Sequence, residues 1–395
     1  MIAGLDPRAL RRVNTSVTLR TLAVATEPVS MTAIAETAGL SRRTVELILD
    51  ELVEAGWVDE LARIPTTGSA GRPPRRFELR AEHALLAAAR VTTREASAVV
   101  ADARGRILGR ARLELPDADD PPRTLDIVAD LVVEAADAAG APFGRLRAGA
   151  IASGGAIDDD GVLRRLVNTD RWQGVDLPAE LGARIDVPWF ADNDANLGAL
   201  AERWRGVARD HDDVVWAILG ARTGIGTLIR GTVHRGFQGG AGELIEAASL
   251  PADAFHSHPI GALTSPDPSE RAEALALVEN ARTGHEAALD LVGEYAEYIA
   301  TILVTLSWTV APSLFVLGGG AEDAADLLLP RVRAALDRAR TPAGIAVEAT
   351  SVGADAPLIG ALRFVLDRMD VALFGPVVSL GAASPSTPAP AKELP

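Results

Sequence analysis

The stretch Ser30–Val45, SMTAIAETAGLSRRTV, with its continuation to Trp57, predicts two short helices joined by a tight turn at Gly39. Ser30 can cap the first helix and Ser41 the second, because a side-chain oxygen accepts hydrogen bonds from the free amides at a helix start. The apolar residues recur with the period of two helices packed on each other. These residues are Ile34, Leu40, Val45, Ile48, Leu49 and Leu52.

The second of these helices begins with a polar first turn. If Val45 and Ile48 face the core, Arg42, Arg43 and Thr44 face solvent. A helix-turn-helix has this layout, and its second helix presents its first turn to the major groove of DNA. We therefore predict DNA contacts from the following residues: Ser41, Arg42, Arg43 and Thr44.

The flanking sequence extends the pair of helices to a winged helix over residues 1–80. An amphipathic helix is predicted over 14–25, and two strands, at 56–61 and 75–79, enclose a loop that ends in Gly71-Arg72-Pro73. An arginine beside glycine and proline forms a thin extended segment that fits a narrow minor groove. We predict DNA contacts from Arg72 and Arg75; a solvated linker is the alternative for Arg72.

The charge of the chain is unevenly distributed. Residues 1–80 contain 11 Arg and 10 Asp or Glu, a net charge of +1, and the remainder contains 28 Lys or Arg and 44 Asp or Glu, a net charge of −16. An acidic body with a near-neutral head is consistent with a sequence-specific DNA-binding protein, because the acidic body weakens non-specific binding to DNA. The chain has 395 residues, enough for two or three domains, and no cysteine, which excludes disulfides and thiolate zinc sites.

Neither the N-terminal segment nor the most apolar run of the chain indicates a membrane protein. No apolar segment of the kind found in a signal peptide follows Met1–Pro7. The most apolar run, 298–320, is interrupted by hydroxyl residues and Pro312, so a buried helix followed by a strand at 313–317 is favoured over a membrane span. We therefore expect a cytoplasmic protein without a membrane partner. Residues 376–395 are rich in Pro, Ala and Ser and are predicted to be disordered.

Strands and covering helices alternate over 83–375, which predicts an α/β domain. Within it, Asp192-Asn193-Asp194-Ala195-Asn196 lies between a predicted buried strand and a helix. A carboxylate at a strand end can act as a base toward a sugar hydroxyl, and Asp192 and Asn193 could bind other hydroxyls. A cap rich in Asp and Asn at the start of the helix is the alternative.

Three glycine-rich segments add candidate contacts to a ligand. Gly220–Thr227 and Gly318–Gly320 contain small residues whose amides can approach a phosphate, although a glycine-rich β-turn has the same composition. Gly239–Glu246 contains Glu243, a potential acceptor for a sugar hydroxyl.

Taken in order, these segments resemble the ROK family (repressor, open reading frame, kinase) from Asn14 to about Arg368. Asp192–Asn196 resembles its Glu-Asn-Asp-Ala-Asn block, Thr223–Gly226 its second phosphate motif, and Ala241–Glu243 the start of its Ala-Gly-Glu-Ile-Gly-His block. The resemblance implies a winged helix-turn-helix followed by a two-lobed, actin-like fold of the sugar kinase and Hsp70 type. It also places the catalytic base at Asp194 and sugar contacts at Asn193, Asp194, Glu243 and Glu246.

The chain departs from the family's kinases at three functional motifs. Their Asp-x-Gly-Gly-Thr loop for phosphate and magnesium corresponds here to Arg90-Val91-Thr92-Thr93-Arg94, and Glu246 replaces the histidine that holds zinc and sugar. The Cys-rich zinc loop is absent, so we predict no metal and no cofactor, with Asp194 a vestigial base. His256 and His258 are interpreted as a solvated pair in a loop.

The leading hypothesis is a DNA-binding transcriptional regulator, a repressor of carbohydrate-related genes, whose ROK domain senses a sugar or sugar derivative or only dimerises. The implied partners are operator DNA, an effector sugar, and a second copy of the chain in a homodimer or homotetramer. The alternatives are an active sugar kinase with an added DNA-binding head and a scaffold that binds neither DNA nor sugar.

Overall fold

The computed structural model describes residues 7–61, 75–115, 118–166, 169–244 and 257–368, with side chains from Leu10 onward. The predicted minor-groove residue Arg72, the ligand candidate Glu246, His256 and the tail 376–395 lie outside these ranges.

The head contains three helices and a small antiparallel sheet with the strand order β1-β3-β2. Ser30 Oγ accepts from the Ala33 amide at 3.2 Å, Ser41 Oγ accepts from the Thr44 amide at 3.1 Å, and Gly39 has a φ of 65°. These contacts confirm both caps and the turn. The elements are α1 (Pro7–Val24), β1 (Val29–Ser30), α2 (Met31–Ala38), α3 (Arg42–Glu54), β2 (Val58–Leu61) and β3 (Arg76–Leu79).

Two features of the head differ from the prediction. Helix α1 begins at Pro7, seven residues before the predicted start at Asn14, because proline is well tolerated in the first turn of a helix. The two-residue strand β1 was not predicted, since its pairing with Phe77 and Arg76 gives no periodic pattern in the sequence.

The first lobe is built on a five-stranded sheet in the order β10-β7-β4-β5-β6, with a separate pair, β8 and β9, beside it. Its strands are β4 (Leu85–Val91), β5 (Glu95–Asp102), β6 (Ile107–Glu114), β7 (Leu146–Ser153), β8 (Ala156–Ile157), β9 (Leu163–Arg165) and β10 (Trp189–Asn193). Its helices are α4 (Pro121–Ala138), α5 (Leu177–Arg184) and α6 (Asp194–Arg205). Strand β4 was not predicted, because its alanine-rich run is buried on both faces and does not alternate.

The second lobe has another five-stranded sheet, in the order β13-β12-β11-β14-β15. Its strands are β11 (Val214–Leu219), β12 (Thr223–Ile229), β13 (Thr232–Val233), β14 (Leu314–Leu317) and β15 (Ala346–Ala349). Its helices are α7 (Pro268–Arg282), α8 (Glu286–Thr309) and α9 (Ala325–Arg338). The last helix, α10 (Ala356–Leu366), packs on α6 and on strands β4 and β7 of the first lobe.

The apolar run 298–320 folds as the end of α8 followed by β14, as predicted. Over the described ranges, no helix combines the length and the apolar character needed to cross a bilayer.

The head and the first lobe share one hydrophobic cluster, which joins Leu49 and Phe77 of the head to Leu86 and Leu362 of the body. Only residues 80–84 separate β3 from β4, and they are held by hydrogen bonds from the Arg80 amide to the Trp57 carbonyl and from the Ala103 amide to the Ala81 carbonyl, both 2.9 Å. The boundary between 1–80 and 83–375 remains a prediction.

The turn between β5 and β6, residues 103–106, touches both the head and α6. Arg104 Nη1 donates to the carbonyls of Ala23, at 3.2 Å, and Ala25, at the carboxyl end of α1. On the other side, Arg205 Nη2 donates to the Gly105 carbonyl at 2.7 Å. One turn therefore connects the last residue of α6 with the first helix of the head.

Candidate functional site

The first turn of α3 carries the predicted DNA-binding residues on the surface. Arg43 has a 74% exposed side chain and forms an ion pair with Glu46 at 2.9 Å. Arg42 donates to Thr32 Oγ1 on α2 at 2.8 Å, and the hydroxyls of Ser41 and Thr44 are 2.7 Å apart. The structure brings these four side chains together at one helix end, the geometry that a major-groove reader requires.

Arg75, which was also predicted to contact DNA, is held inside the head. Its guanidinium lies 2.8 Å from carboxylate oxygens of both Asp50 and Glu60, and its side chain is 24% exposed. The hydrogen bonds that the guanidinium donates to Glu60 and Asp50 raise the pKa of Arg75. A DNA contact by Arg75 remains a prediction, but the structure gives Arg75 a second role that the sequence did not indicate, the neutralisation of two acids beside α3.

Replacing Arg75 with alanine is expected to weaken DNA binding about tenfold, which corresponds to about 1.4 kcal/mol. The reason is that Asp50 and Glu60 would then repel phosphate without compensation. Adding Asp50→Asn to this variant should recover most of the loss in a titration followed by fluorescence anisotropy. A loss that Asp50→Asn does not reduce would instead indicate a direct contact between Arg75 and DNA.

Asp192, at the end of β10, is fully buried and is bonded within the chain. Its carboxylate accepts from the Asn193 amide at 2.8 Å, from Asn196 Nδ2 at 3.0 Å, and from Arg235 Nη2 at 2.5 Å and Nε at 3.0 Å. The suggested contact between Asp192 and a ligand hydroxyl is therefore wrong. This carboxylate fixes the loop that begins at Arg235.

Asn193 both caps α6 and faces the other candidate acceptor. Its Oδ1 accepts from the amides of Ala195, at 2.9 Å, and Asn196, at 3.2 Å. Its Nδ2 donates to the Gly155 carbonyl at 2.9 Å and to Glu243 Oε1 at 3.4 Å. The helix-cap alternative is thus realised, and the structure also brings Asn193 and Glu243 together, as a binding site would require.

The base position, Asp194, is neutralised by a cation. Arg222 Nη2 lies 2.9 Å from Asp194 Oδ2, and the carboxylate side chain is 11% exposed. The Oδ2 atom of this carboxylate is therefore bonded within the chain by a guanidinium, where a base would have to accept from a substrate hydroxyl. Sequence reasoning missed Arg222, although its charge inside the glycine-rich segment Gly220–Thr227 was a usable signal.

Arg90–Arg94 does not form an open phosphate loop. Arg90 and Val91 end β4, and Thr92 Oγ1 accepts from the amides of Arg94, at 3.3 Å, and Glu95, at 3.0 Å. Arg94 forms an ion pair at 2.6 Å with Asp267, which caps α7 in the other lobe. Burial, and next to it the charge of Arg222, lowers the pKa of Arg90. Arg90 and Arg94 thus place two cations in the segment that, by the resemblance, corresponds to the phosphate and magnesium loop of the family's kinases.

The segment Thr223–Gly226 forms the first four residues of strand β12. In the turn before it, the Ala221 amide donates to the Gly261 carbonyl and the Arg222 amide to Thr264 Oγ1, both at 3.0 Å. A β-carbon on Gly226 would lie 2.0 Å from the Ala195 carbonyl oxygen. This glycine is explained by the packing of β12 on α6.

Gly318–Gly320 is likewise bonded within the chain. The Gly318 amide donates to the Ala217 carbonyl at 2.9 Å, and the Gly320 amide donates to Glu322 Oε2 at 2.7 Å. Burial raises the pKa of Glu322. A glutamate therefore occupies the position that a phosphate oxygen would need.

His258 is buried, so its interpretation as a solvated loop residue is wrong. Its Nδ1 accepts from the Ile260 amide at 3.1 Å, and its ring stacks on Tyr295 with centroids 5.2 Å apart. Across the described ranges, no three His, Cys, Asp or Glu residues are grouped to hold a metal ion.

The pH dependence of stability should report on His258. Burial lowers its pKa below the ordinary value of 6.5, against the raising effect of Glu294. The unfolded chain therefore binds more protons than the folded chain as the pH falls below about 6.5, and stability is lost in that range. We expect the melting temperature of the wild type to fall more between pH 7 and pH 5 than that of His258→Gln. Parallel pH profiles for the two proteins would contradict this.

Comparison with known proteins identifies the body. Residues 88–245 and 260–368 match the ROK family. The chain belongs to the ROK family. The xylose repressor of Bacillus subtilis is 26% identical, over 60% of this chain and 61% of the repressor. The glucokinase of Thermotoga maritima is 27% identical, over 61% of this chain and 84% of the kinase. The chain thus spans about three fifths of the length of the repressor relative.

Solved structures support the fold of the whole ROK protein, head included. A ROK family transcriptional regulator, described as a homologue of the E. coli MLC protein, covers 92% of this chain with a TM-score of 0.73 and 17% identity, and 99% of that regulator is matched. A ROK family glucokinase from Streptomyces griseus, in complex with glucose and AMPPNP, covers 71% with a TM-score of 0.59 and 24% identity, and 98% of it is matched. These matches confirm the predicted α/β fold, with a winged head on an actin-like, two-lobed body.

Proposed function

We propose that this ROK protein is a DNA-binding transcriptional repressor of carbohydrate-related genes, and that its ROK domain is catalytically degenerate. The observation that carries the proposal is the exposed first turn of α3, where Ser41 caps the helix and Arg43 extends into solvent on a helix-turn-helix. The regulator and repressor relatives support this assignment. The glucokinase relatives support the alternative, an active kinase that carries an additional head.

The body is proposed to sense a sugar or sugar derivative at the end of β10. Asn193 and Glu243 supply a donor and an acceptor 3.4 Å apart, and the 11% exposed Asp194 lies beside them. Polyol recognition needs several such groups on rigid elements. Glu246 is proposed as a further contact. A sugar that raises the melting temperature of the wild type but not of Glu243→Ala would support this site.

Self-association, as a homodimer or homotetramer, is part of the proposal. One winged helix reads a short half-site, and a two-fold pair of heads supplies the affinity that a head of charge +1 lacks. Light scattering at micromolar concentration, with and without DNA, measures the molar mass of the protein. The mass of a monomer under both conditions would contradict self-association.

The purified chain should show no sugar-dependent turnover of ATP with Mg²⁺. Phosphoryl transfer depends on positioning and on charge neutralisation by metal. In this chain the carboxylate of Asp194 is instead paired with Arg222. The backbone amides of Ala221, Arg222 and Gly320, which could otherwise bind phosphate, already donate hydrogen bonds within the chain. A coupled assay for ADP over a panel of sugars tests this, with a glucokinase of the family as the positive control. ADP release above background would establish the kinase alternative.

DNA binding is tested independently of the ligand. Selection of binding sequences from a random duplex pool by the full chain should enrich one two-fold symmetric motif, and anisotropy should then give a steep dependence on salt. A pool that remains unenriched would contradict the regulator and favour the kinase or scaffold.

A further inference from the structure

The exposed face of α3 contains one large apolar side chain. Val45, Ile48, Leu49 and Leu52 are buried in the core of the head, whereas Leu47 is 40% exposed. Its neighbours on this face are charged, and each of these charges has a partner: Glu46 pairs with Arg43, Asp50 with Arg75 and Glu51 with Arg11. Leu47 is thus an apolar contact surrounded by ion pairs.

A single exposed leucine is common on protein surfaces and needs no function by itself. The position of Leu47 distinguishes it. It follows Arg43 by four residues, so the two side chains are neighbours on the same face of the helix. That face begins at the turn that a helix-turn-helix inserts into the major groove. In such a complex Leu47 would leave water and contact the edges of the bases.

We propose that Leu47 reads the methyl group of a thymine in the operator, next to a guanine that is read by Arg43. This inference rests on the proposed function and adds the base preference of the head. Thymine is the base that presents a methyl group in the major groove, and guanine presents two acceptors, O6 and N7, to an arginine. The ion pair with Glu46 at 2.9 Å orients the Arg43 guanidinium before DNA is bound.

The spacing of the two side chains limits where the two bases lie. Four residues of α-helix rise about 6 Å, and successive base pairs are about 3.4 Å apart. The thymine is therefore expected within two base steps of the guanine in each half-site. The 2.8 Å pair between Asp50 and Arg75 removes the charge that would otherwise oppose phosphate one turn further along the helix.

The test uses the full chain and an operator obtained by selection from a random pool. Each thymine of the half-site is replaced in turn by deoxyuridine, which lacks only the methyl group. One replacement should weaken the wild type about fourfold, the effect expected for one buried methyl group. Leu47→Ala should bind the thymine operator about fourfold more weakly than the wild type and should not distinguish the uracil operator from it.

Controls separate the contact from a general loss of stability. Leu275→Ala removes a leucine of similar exposure, 37%, from α7 in the second lobe and should keep the full preference for thymine. Melting curves should show that Leu47→Ala is folded. In the same format, 7-deazaguanine at the conserved guanine should weaken the wild type but not Arg43→Ala.

The outcomes distinguish this inference from the function on which it rests. A selected operator that tolerates uracil at every thymine, or a Leu47→Ala variant that keeps the wild-type preference, would overturn the methyl contact and leave the regulator standing. If the chain selects no DNA sequence, both fail.

Discussion

Replacing Arg42 and Arg43 together with alanine should lower operator affinity at least about a hundredfold, because each arginine bonded to a base is worth about 1–3 kcal/mol of discrimination. The structure adds a second reason. Arg43 is 74% exposed and has Glu46 as its partner, so its removal leaves an uncompensated carboxylate facing the DNA. The net charge of residues 1–80 would change from +1 to −1.

The measurement is an anisotropy titration with a fluorescent operator. Arg338→Ala is the matched control, because Arg338 is also exposed and paired, with Glu297, but lies on α9 in the second lobe. The fold should survive in both proteins, with unchanged circular dichroism. Operator affinity within a factor of three of the wild type would remove α3 from the DNA interface.

The largest effect on stability is expected at Asp192. Its replacement by alanine leaves Arg235, whose side chain is 17% exposed, without its buried partner. It also removes the acceptor for Asn196. Breaking a buried ion pair from one side costs about 3–5 kcal/mol, so the first lobe of Asp192→Ala should unfold at a clearly lower urea concentration.

Two further variants decide whether the loss of the buried partner of Arg235 is the cause. Asp326→Ala breaks a pair with Arg282 in which the carboxylate is 55% exposed, and it should shift the urea midpoint little. Adding Arg235→Met to Asp192→Ala should restore part of the loss, because it removes a cation that has lost its buried partner and retains the exposed Asp159 at 3.5 Å. Equal shifts for Asp192→Ala and Asp326→Ala would mean that the buried pair contributes no more than a surface pair.

The parts of the fold that depend on neighbouring residues were predictable from sequence. The caps at Ser30 and Ser41 and the turn at Gly39 are local hydrogen bonds and local dihedral angles, and all three are present. The partners of Asp192 and Asp194 are Arg235 and Arg222, 43 and 28 residues away, and no periodicity specifies such pairs. The ligand site therefore remains a prediction, and the ion pairs of its carboxylates were not predictable from the sequence.

The glycine-rich segments show a second limit of sequence reasoning. Glycine allows close approach to the backbone because it has no β-carbon. The sequence does not show whether the group that approaches is a phosphate or another strand or helix. Gly226 accommodates the backbone of Ala195, and a β-carbon on Gly320 would lie 2.0 Å from the Leu263 carbonyl oxygen. Only the three-dimensional neighbours distinguish the two cases.

The turn at residues 103–106 determines how freely the head can move. Heads joined by a flexible linker search for two half-sites with an effective concentration set by linker length. Here Arg104 holds the end of α1, Arg205 holds the same turn from α6, and Arg20 donates to the Asp367 carbonyl at 2.8 Å. In a two-fold assembly, the distance between recognition helices would then depend on how the bodies pair, so the spacing of operator half-sites would measure the geometry of the lobes.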